Sequence, residues 1–269
     1  MVAAVCHGII CLCPNLLSSD VATSRSNVAL IAPLYVSNEH FFSTLTLTNK
    51  TDSIIGASVI FDSLEGEEIA RRSIALAPRS SLSIRLDSIS MSRHRFPALG
   101  SISVFSTRAP VEALSGRVTI TSRTEGRKVQ VEEDLQPVNP YPGPLHVGLV
   151  PASFSVPLLA IHSLGELSQR ISVICFDRTD KSFESQLLLP PHMTLLLNAC
   201  IRGRSESRSY EQLLRGDTGP MGGGMTVKVT TTDPKGAISV WGFAAASNGE
   251  DSGPQLVGIE FAELEFEFP

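Results

Sequence analysis

Six histidines, at positions 7, 40, 94, 146, 162 and 192, are the first side chains to weigh for chemistry. A hydrolase holds a nucleophile against a base, and none of the six belongs to a nucleophile elbow. No pair has the close spacing of a helical zinc motif. His162 and His192 approach each other only if their strands are neighbours. They are expected to be loop or strand residues, with a metal site drawn from distant strands as the competing reading. Asp62 and Asp177 each follow an apolar run, Ser58–Phe61 and Ser172–Phe176. Their recurrence suggests turn carboxylates that accept backbone N–H groups. A carbohydrate or calcium role is the alternative, although no calcium-loop spacing of alternating carboxylates is present. No catalytic residue, metal ligand or cofactor site is expected from these patterns.

The densest cationic cluster is Arg202, Arg204, Arg208 and Arg215, with Tyr210 among them. These five residues are the candidate binding set, suited to an anion or an acidic glycan. Glu206, Glu211 and Asp217 dilute the field, so a solvated loop is the first reading. Gly222, Gly223 and Gly224 lack the Lys-Ser/Thr that must follow in a phosphate loop. They are read as a flexible lead into a strand. Trp241 is the sole tryptophan and alternates with apolar neighbours, Ile238, Val240 and Phe243. It is expected to anchor a core rather than to offer a sugar platform.

The elements that carry these residues read as strands. Leu45 and Leu47 alternate with Thr44, Thr46 and Thr48; Leu82, Ile84 and Leu86 with Ser83 and Arg85; Val118 and Ile120 with Thr119 and Thr121. Side chains along a strand point alternately to opposite faces, so each run offers one apolar and one hydroxyl face. Such alternation belongs to antiparallel sheets. Leu187–Leu189 and Leu195–Leu197 run continuously apolar, as strands covered on both faces do, and the other half of the chain is the expected cover. Turn chemistry separates the runs at Asn49–Ser53, Leu64–Glu68, Arg178–Lys181 and Asp233–Gly236. No long amphipathic helix is expected; Glu206–Arg215 has room for a turn or two.

The runs come in two rounds. Ser58–Asp62 matches Ser172–Asp177 with one insertion, and Ser73–Pro78 matches Gln186–Pro191. Gly100–Val104 then aligns with Gly224–Lys228, and Ala113–Gly116 with Ala237–Gly242. Matched blocks in one order indicate internal duplication. The expected fold is all-β: two tandem antiparallel β-sandwich domains of about seven strands each, with barrels as the structural alternative. The expected boundaries are an apolar N-terminal segment 1–27, domain 1 at 28–135, a Pro-rich linker 136–144 and domain 2 at 145–269. Ile259–Phe268 alternates with glutamates and reads as a last strand with a bulge at Ala262.

Charge and cysteine usage narrow the class further. The net charge is −5; residues 28–135 carry twelve basic and twelve acidic groups, and residues 136–269 nine and fourteen. Without a long basic run a nucleic-acid partner is not expected. Three of five cysteines, Cys6, Cys11 and Cys13, crowd the start, and the odd number argues against a disulfide scaffold. Cys175 reads as a core thiol, with a bridge to Cys200 as the alternative. Val2–Leu12 is apolar and is read either as an export signal or as a poorly ordered start. It is too short to span a bilayer, and no later segment qualifies.

The blocks STLTLTN, SVIFDSLEGEEI and IALAPRSSLSI, followed by LGSISVFST, resemble a loosely defined group of bacterial extracytoplasmic immunoglobulin-like repeats. The resemblance covers about 30–135 and, more weakly, 146–248. It implies a sandwich fold and an extracytoplasmic or secreted location, with the cytoplasm as the alternative; it transfers no functional residue. The expected function is a non-catalytic structural or adhesive module of the envelope or exterior. The alternative is a carbohydrate- or protein-binding module that uses loops 201–223. An enzyme with a site between the domains is the third reading.

Overall fold

The computed structural model describes residues 28–37, 41–86, 98–106, 111–123, 130–137, 145–150, 155–176, 182–198, 225–231, 237–246, 255–259 and 261–264. The chain is all-β, with a short 3-10 turn at Val111–Ala113. The first half contributes β1 (Val28–Ser37), β2 (Phe41–Asn49), β3 (Ile55–Ser63), β4 (Glu68–Leu76) and β5 (Ser81–Arg85). It continues with β6 (Ala98–Ser106), β7 (Leu114–Ser122), β8 (Gln130–Asp134) and β9 (Gln136–Pro137). The second half contributes β10 (Leu145–Val150), β11 (Ser155–Ser163), β12 (Gln169–Phe176), β13 (Ser182–Leu189) and β14 (Thr194–Asn198). Its remaining strands are β15 (Met225–Thr231), β16 (Ile238–Ala246), β17 (Gln255–Ile259) and β18 (Phe261–Leu264).

Each half folds into a five-stranded and a four-stranded sheet. The first half is ordered β4-β3-β6-β1-β9 and β5-β2-β7-β8; the second is ordered β13-β12-β15-β10-β18 and β14-β11-β16-β17. Raising every strand number by nine converts the first pair of orders into the second. The alternation that predicts these strands is visible in burial: β2 is buried at every odd position from Phe41 to Asn49, and Leu45 and Leu47 are fully buried. Leu82, expected to face inward with Ile84 and Leu86, is exposed on the edge strand β5, whereas the other two are buried.

The sheets stack in four layers. β1 packs against β2 and β7 of its own sandwich and also against β11 and β16 of the second half. Its two faces are accordingly both covered: Leu30 and Ala32 join the first core, while Ile31, on the opposite face, is buried beside Ser103 in the register that also contains Ile60. The layer order is therefore four-stranded, five-stranded, four-stranded, five-stranded. Leu195–Leu197 behaves as its continuous apolar run predicts. Leu197 and Leu195 serve the second core, and Leu196 packs against the first. Leu187–Leu189 does not, because Leu188 is 63% exposed on the edge strand β13. The C-terminal run divides between sheets, with β17 beside β16 and β18 beside β10, and β18 pairs through Ala262 without a register shift, so the expected bulge is not present there.

Turn chemistry closes the strands locally. Asn49, buried at the end of β2, donates through Nδ2 to the carbonyls of Ser53 (2.7 Å), Leu76 (3.1 Å) and Ala77 (3.0 Å). Its Oδ1 accepts from the Thr51 amide and hydroxyl, both at 2.8 Å. In the second half, Gln169 is the buried amide near the end of β11, donating to Ser163 Oγ at 3.1 Å and to the Ala237 carbonyl at 3.0 Å.

Candidate functional site

The outward face of the first four-stranded sheet is a polar lattice fixed by register. Ser83, Thr46, Arg117 and Asp134 stand side by side across four strands, and Arg85, Thr44, Thr119 and Glu132 form the next row. Strand spacing of about 4.8 Å brings such neighbours within hydrogen-bonding reach. Thr46 Oγ1 lies 3.0 Å from Ser83 Oγ, and Thr48 Oγ1 lies 2.8 Å from Ser81 Oγ. Arg117 donates from Nε to Asp134 Oδ1 at 2.7 Å and from an η nitrogen to Glu132 Oε2 at 2.9 Å. Those hydrogen bonds and charges, Asp134 foremost, hold the guanidinium even more firmly protonated than usual. At one end of the face the Phe42 ring lies under two guanidinium groups, with Arg85 Cζ 4.1 Å and Arg123 Cζ 5.2 Å from its centroid.

A groove of about 880 Å³ opens over this region, lined by Thr46, Thr48, Lys50, Ser115, Arg117 and Glu132 among others. Its hydroxyls are partly satisfied by one another and its guanidinium is neutralised by two carboxylates. That chemistry suits hydrogen bonding to a neutral, polyhydroxylated surface better than capture of phosphate.

The seam between the halves is the second concentration of placed side chains. Ala160, Trp241 and Phe243 of the second half belong to the same apolar cluster as the first-half core. Trp241 and Phe243 meet edge to face at 6.5 Å. Gln136 donates to the Val240 carbonyl at 3.1 Å and accepts from Ser239 Oγ at 2.5 Å. The Thr194 amide donates to the Leu64 carbonyl at 2.8 Å. Next to that bond, Gly66 adopts a left-handed φ of 83°, and a Cβ there would stand 2.7 Å from the His192 carbonyl oxygen. Glycine is therefore needed for the approach as well as for the turn.

The candidate set Arg202, Arg204, Arg208, Tyr210 and Arg215 lies outside the described residues, as do Gly222–Gly224, Asp177, Cys200 and linker residues 138–144. Trp241 is buried, as expected of a core anchor, but its place is the seam rather than the second core alone. Cys175 is fully buried in the second core. Asp62 departs from the turn reading. It sits within β3, buried at 2% exposure, and Ser63 makes the turn, its Oγ accepting from the Glu65 and Glu67 amides. Burial, with the Asp62 carboxylate nearby, pushes the Tyr35 phenol above its usual range.

β11 and β14 are neighbours, and His162 is in register with Thr194, two residues from His192. The rings nevertheless have separate partners: His162 Nδ1 lies 2.9 Å from Thr194 Oγ1, and His192 Nε2 lies 3.3 Å from Glu166 Oε2. Among the described residues no group of three or more His, Cys, Asp or Glu side chains is placed to hold a metal ion. No helix among them is long and apolar enough to cross a membrane.

The sequence does not show the lattice, and of the seam it shows only that Leu195–Leu197 is to be covered. The outward threonines are evident in the alternation, but which strand lies beside which is settled only by register. Comparison with protein-family models, with curated proteins and with solved structures finds no match.

Proposed function

We propose that this chain is a non-catalytic structural or adhesive module of the cell envelope or exterior, built by duplication of one immunoglobulin-like sandwich. The observation that carries the reading is the seam. Polar groups such as Gln136, Ser239 and the Thr194 amide, together with Trp241, are committed to joining the halves. A chain so joined holds its two halves in a fixed relation, which is what a strut or adhesive stalk requires. The repeated strand order supports duplication. The immunoglobulin relation rests on β2 beside β5 and on β3 between β4 and β6, the inner pairs of that fold. The strands next to them, β1 and β7, occupy exchanged sheets relative to its first and last strands.

Cells that make the chain provide the test. Protease added to intact cells is expected to cleave it, and deletion of its coding region to weaken adhesion or envelope integrity. Protection from external protease together with an unchanged envelope would refute the proposal. The groove over the hydroxyl lattice favours a second reading, a module that binds neutral glycan. On an array of neutral polysaccharides, binding by the full chain that falls with Thr46→Ala and Arg117→Ala supports it; absence of binding rejects it.

A further inference from the structure

The groove over the hydroxyl lattice changes character at the strand ends of the first sandwich. Along the sheet its lining is hydroxyls and Arg117, whose guanidinium is already held by Asp134 and Glu132. Where β2 ends and β7 begins, the lining is Lys50, Glu112, Leu114, Leu135 and Pro137. Lys50 and Glu112 are exposed, and among the described residues neither side chain has an ion-pair or hydrogen-bond partner. They leave adjoining stretches of backbone nonetheless, because the Lys50 amide donates to the Ala113 carbonyl at 2.9 Å. A donor-only and an acceptor-only group are thus offered, unjoined, to one short part of the groove.

The fold does not call for these charges. In the second half the same backbone bond recurs at 2.9 Å, from the Leu164 amide to the Ala237 carbonyl, and Gly236 precedes Ala237 as Glu112 precedes Ala113. Leucine and glycine serve that strand end equally well. The outer face of the second four-stranded sheet is buried in the seam, through Ala160, Leu196 and Trp241. The charged pair stands on the half whose face is open.

A donor, an acceptor and apolar carbon in one groove match a secondary amide that ends in a methyl group. The amide oxygen accepts from an ammonium, its N–H donates to a carboxylate, and the methyl lies against carbon. A ring hydroxyl brings no methyl to Leu114, Leu135 and Pro137, and a free sugar amine brings a second ammonium toward Lys50. We propose that the glycan taken by this groove is a polymer of N-acetylated amino sugars, with an acetamido group held between Lys50 and Glu112. The inference rests on the glycan-binding reading of the groove and names its ligand class. Hydroxyls of the adjoining sugars then meet Thr46, Thr48 and Ser115. At about 880 Å³ the groove is at the upper end for small-ligand sites and takes more than one ring.

Chitin and cellulose oligomers matched in length share linkage and ring configuration and differ in the acetamido group. Calorimetric titration of the full chain with each therefore isolates that group. The chitin oligomer is expected to bind about tenfold more tightly or better. Lys50→Met and Glu112→Ala are surface changes that should preserve the melting temperature. Each should remove most of the preference and leave affinity for the cellulose oligomer within about threefold. Thr46→Ala should instead weaken both oligomers alike. Equal affinity for the two oligomers, or a preference that survives both substitutions, overturns the acetamido assignment while the groove remains a general glycan site. Binding of neither oligomer overturns the groove reading and the assignment together.

Discussion

His146 should make this protein acid-labile between pH 6.5 and about pH 4. It lies on β10, in register with Val229, whose neighbour across the next pair is Val173. Its side chain is therefore turned into the second core. The residue is 4% exposed and its Nε2 has no hydrogen-bond partner. Burial lowers its pKa from the usual 6.5 to about 4. A base whose folded pKa is depressed is neutral in the native state and binds a proton more readily when unfolded. Its stabilising effect is complete above pH 6.5, declines as the pH falls and levels off near pH 4. The full span corresponds to about 3 kcal/mol, of which about 2 kcal/mol is lost by pH 5. Urea denaturation at pH 7.5 and pH 5, on the wild type and on His146→Leu, isolates this contribution, since other groups titrate alike in both. The variant should match or exceed the wild type at pH 7.5 and gain about 2 kcal/mol on it at pH 5. Parallel losses in the two proteins would falsify the assignment of a buried neutral imidazole.

Four other substitutions probe packing and the seam. Asn49→Ala removes the partner of three carbonyls and of the Thr51 amide and hydroxyl; it should cost about 3 kcal/mol in urea unfolding, and a loss below about 1 kcal/mol contradicts its role as the closing residue of β2. Gly66→Ala should cost about 2 kcal/mol and speed hydrogen exchange at the Thr194 amide. Gly56→Ala, where a Cβ meets nothing within 4 Å, should change stability by less than about 0.5 kcal/mol. Equal effects at the two glycines would remove steric approach at the seam as the cause. Trp241→Ala should cost about 4 kcal/mol through the cavity it leaves, and the native tryptophan fluorescence should resist iodide quenching; ready quenching would place the indole at the surface.

Much of the fold is legible because a period of two carries both strand identity and facing. Thr44–Thr48 announces β2 and the side it hides; Val118 and Ile120 do the same for β7. What remains illegible depends on neighbours distant in sequence. Asp62 looks like a turn carboxylate from its flanks, yet the strand runs one residue further and Ser63 takes the turn. Leu188 and Leu196 sit in similar leucine runs, but one lies on an open edge and the other against the first half. Hydrophobic pattern states that a face is to be covered and leaves unstated by what.

That distinction explains how nearly the same strand plan gives two unlike sheets. The two four-stranded sheets share one order, and their inner faces are equally apolar. Their outer faces differ by side-chain type alone: hydroxyls and Arg117 on the first, Ala160, Leu196 and Trp241 on the second. An apolar sheet face left in water is costly, at about 25 cal/mol for each Å². The second sheet is therefore driven against the nearest available face, which the short connection between the halves makes the first half's five-stranded sheet. A hydroxyl face gains nothing comparable by docking and stays in solvent. The order of layers thus follows from which outer faces are apolar, and exchanging Trp241 and Leu196 for threonine should open the seam while leaving both sandwiches folded. Small-angle scattering would read that opening as a rise in radius of gyration; an unchanged radius would mean that Gln136 and the Thr194 amide hold the seam without the apolar contact.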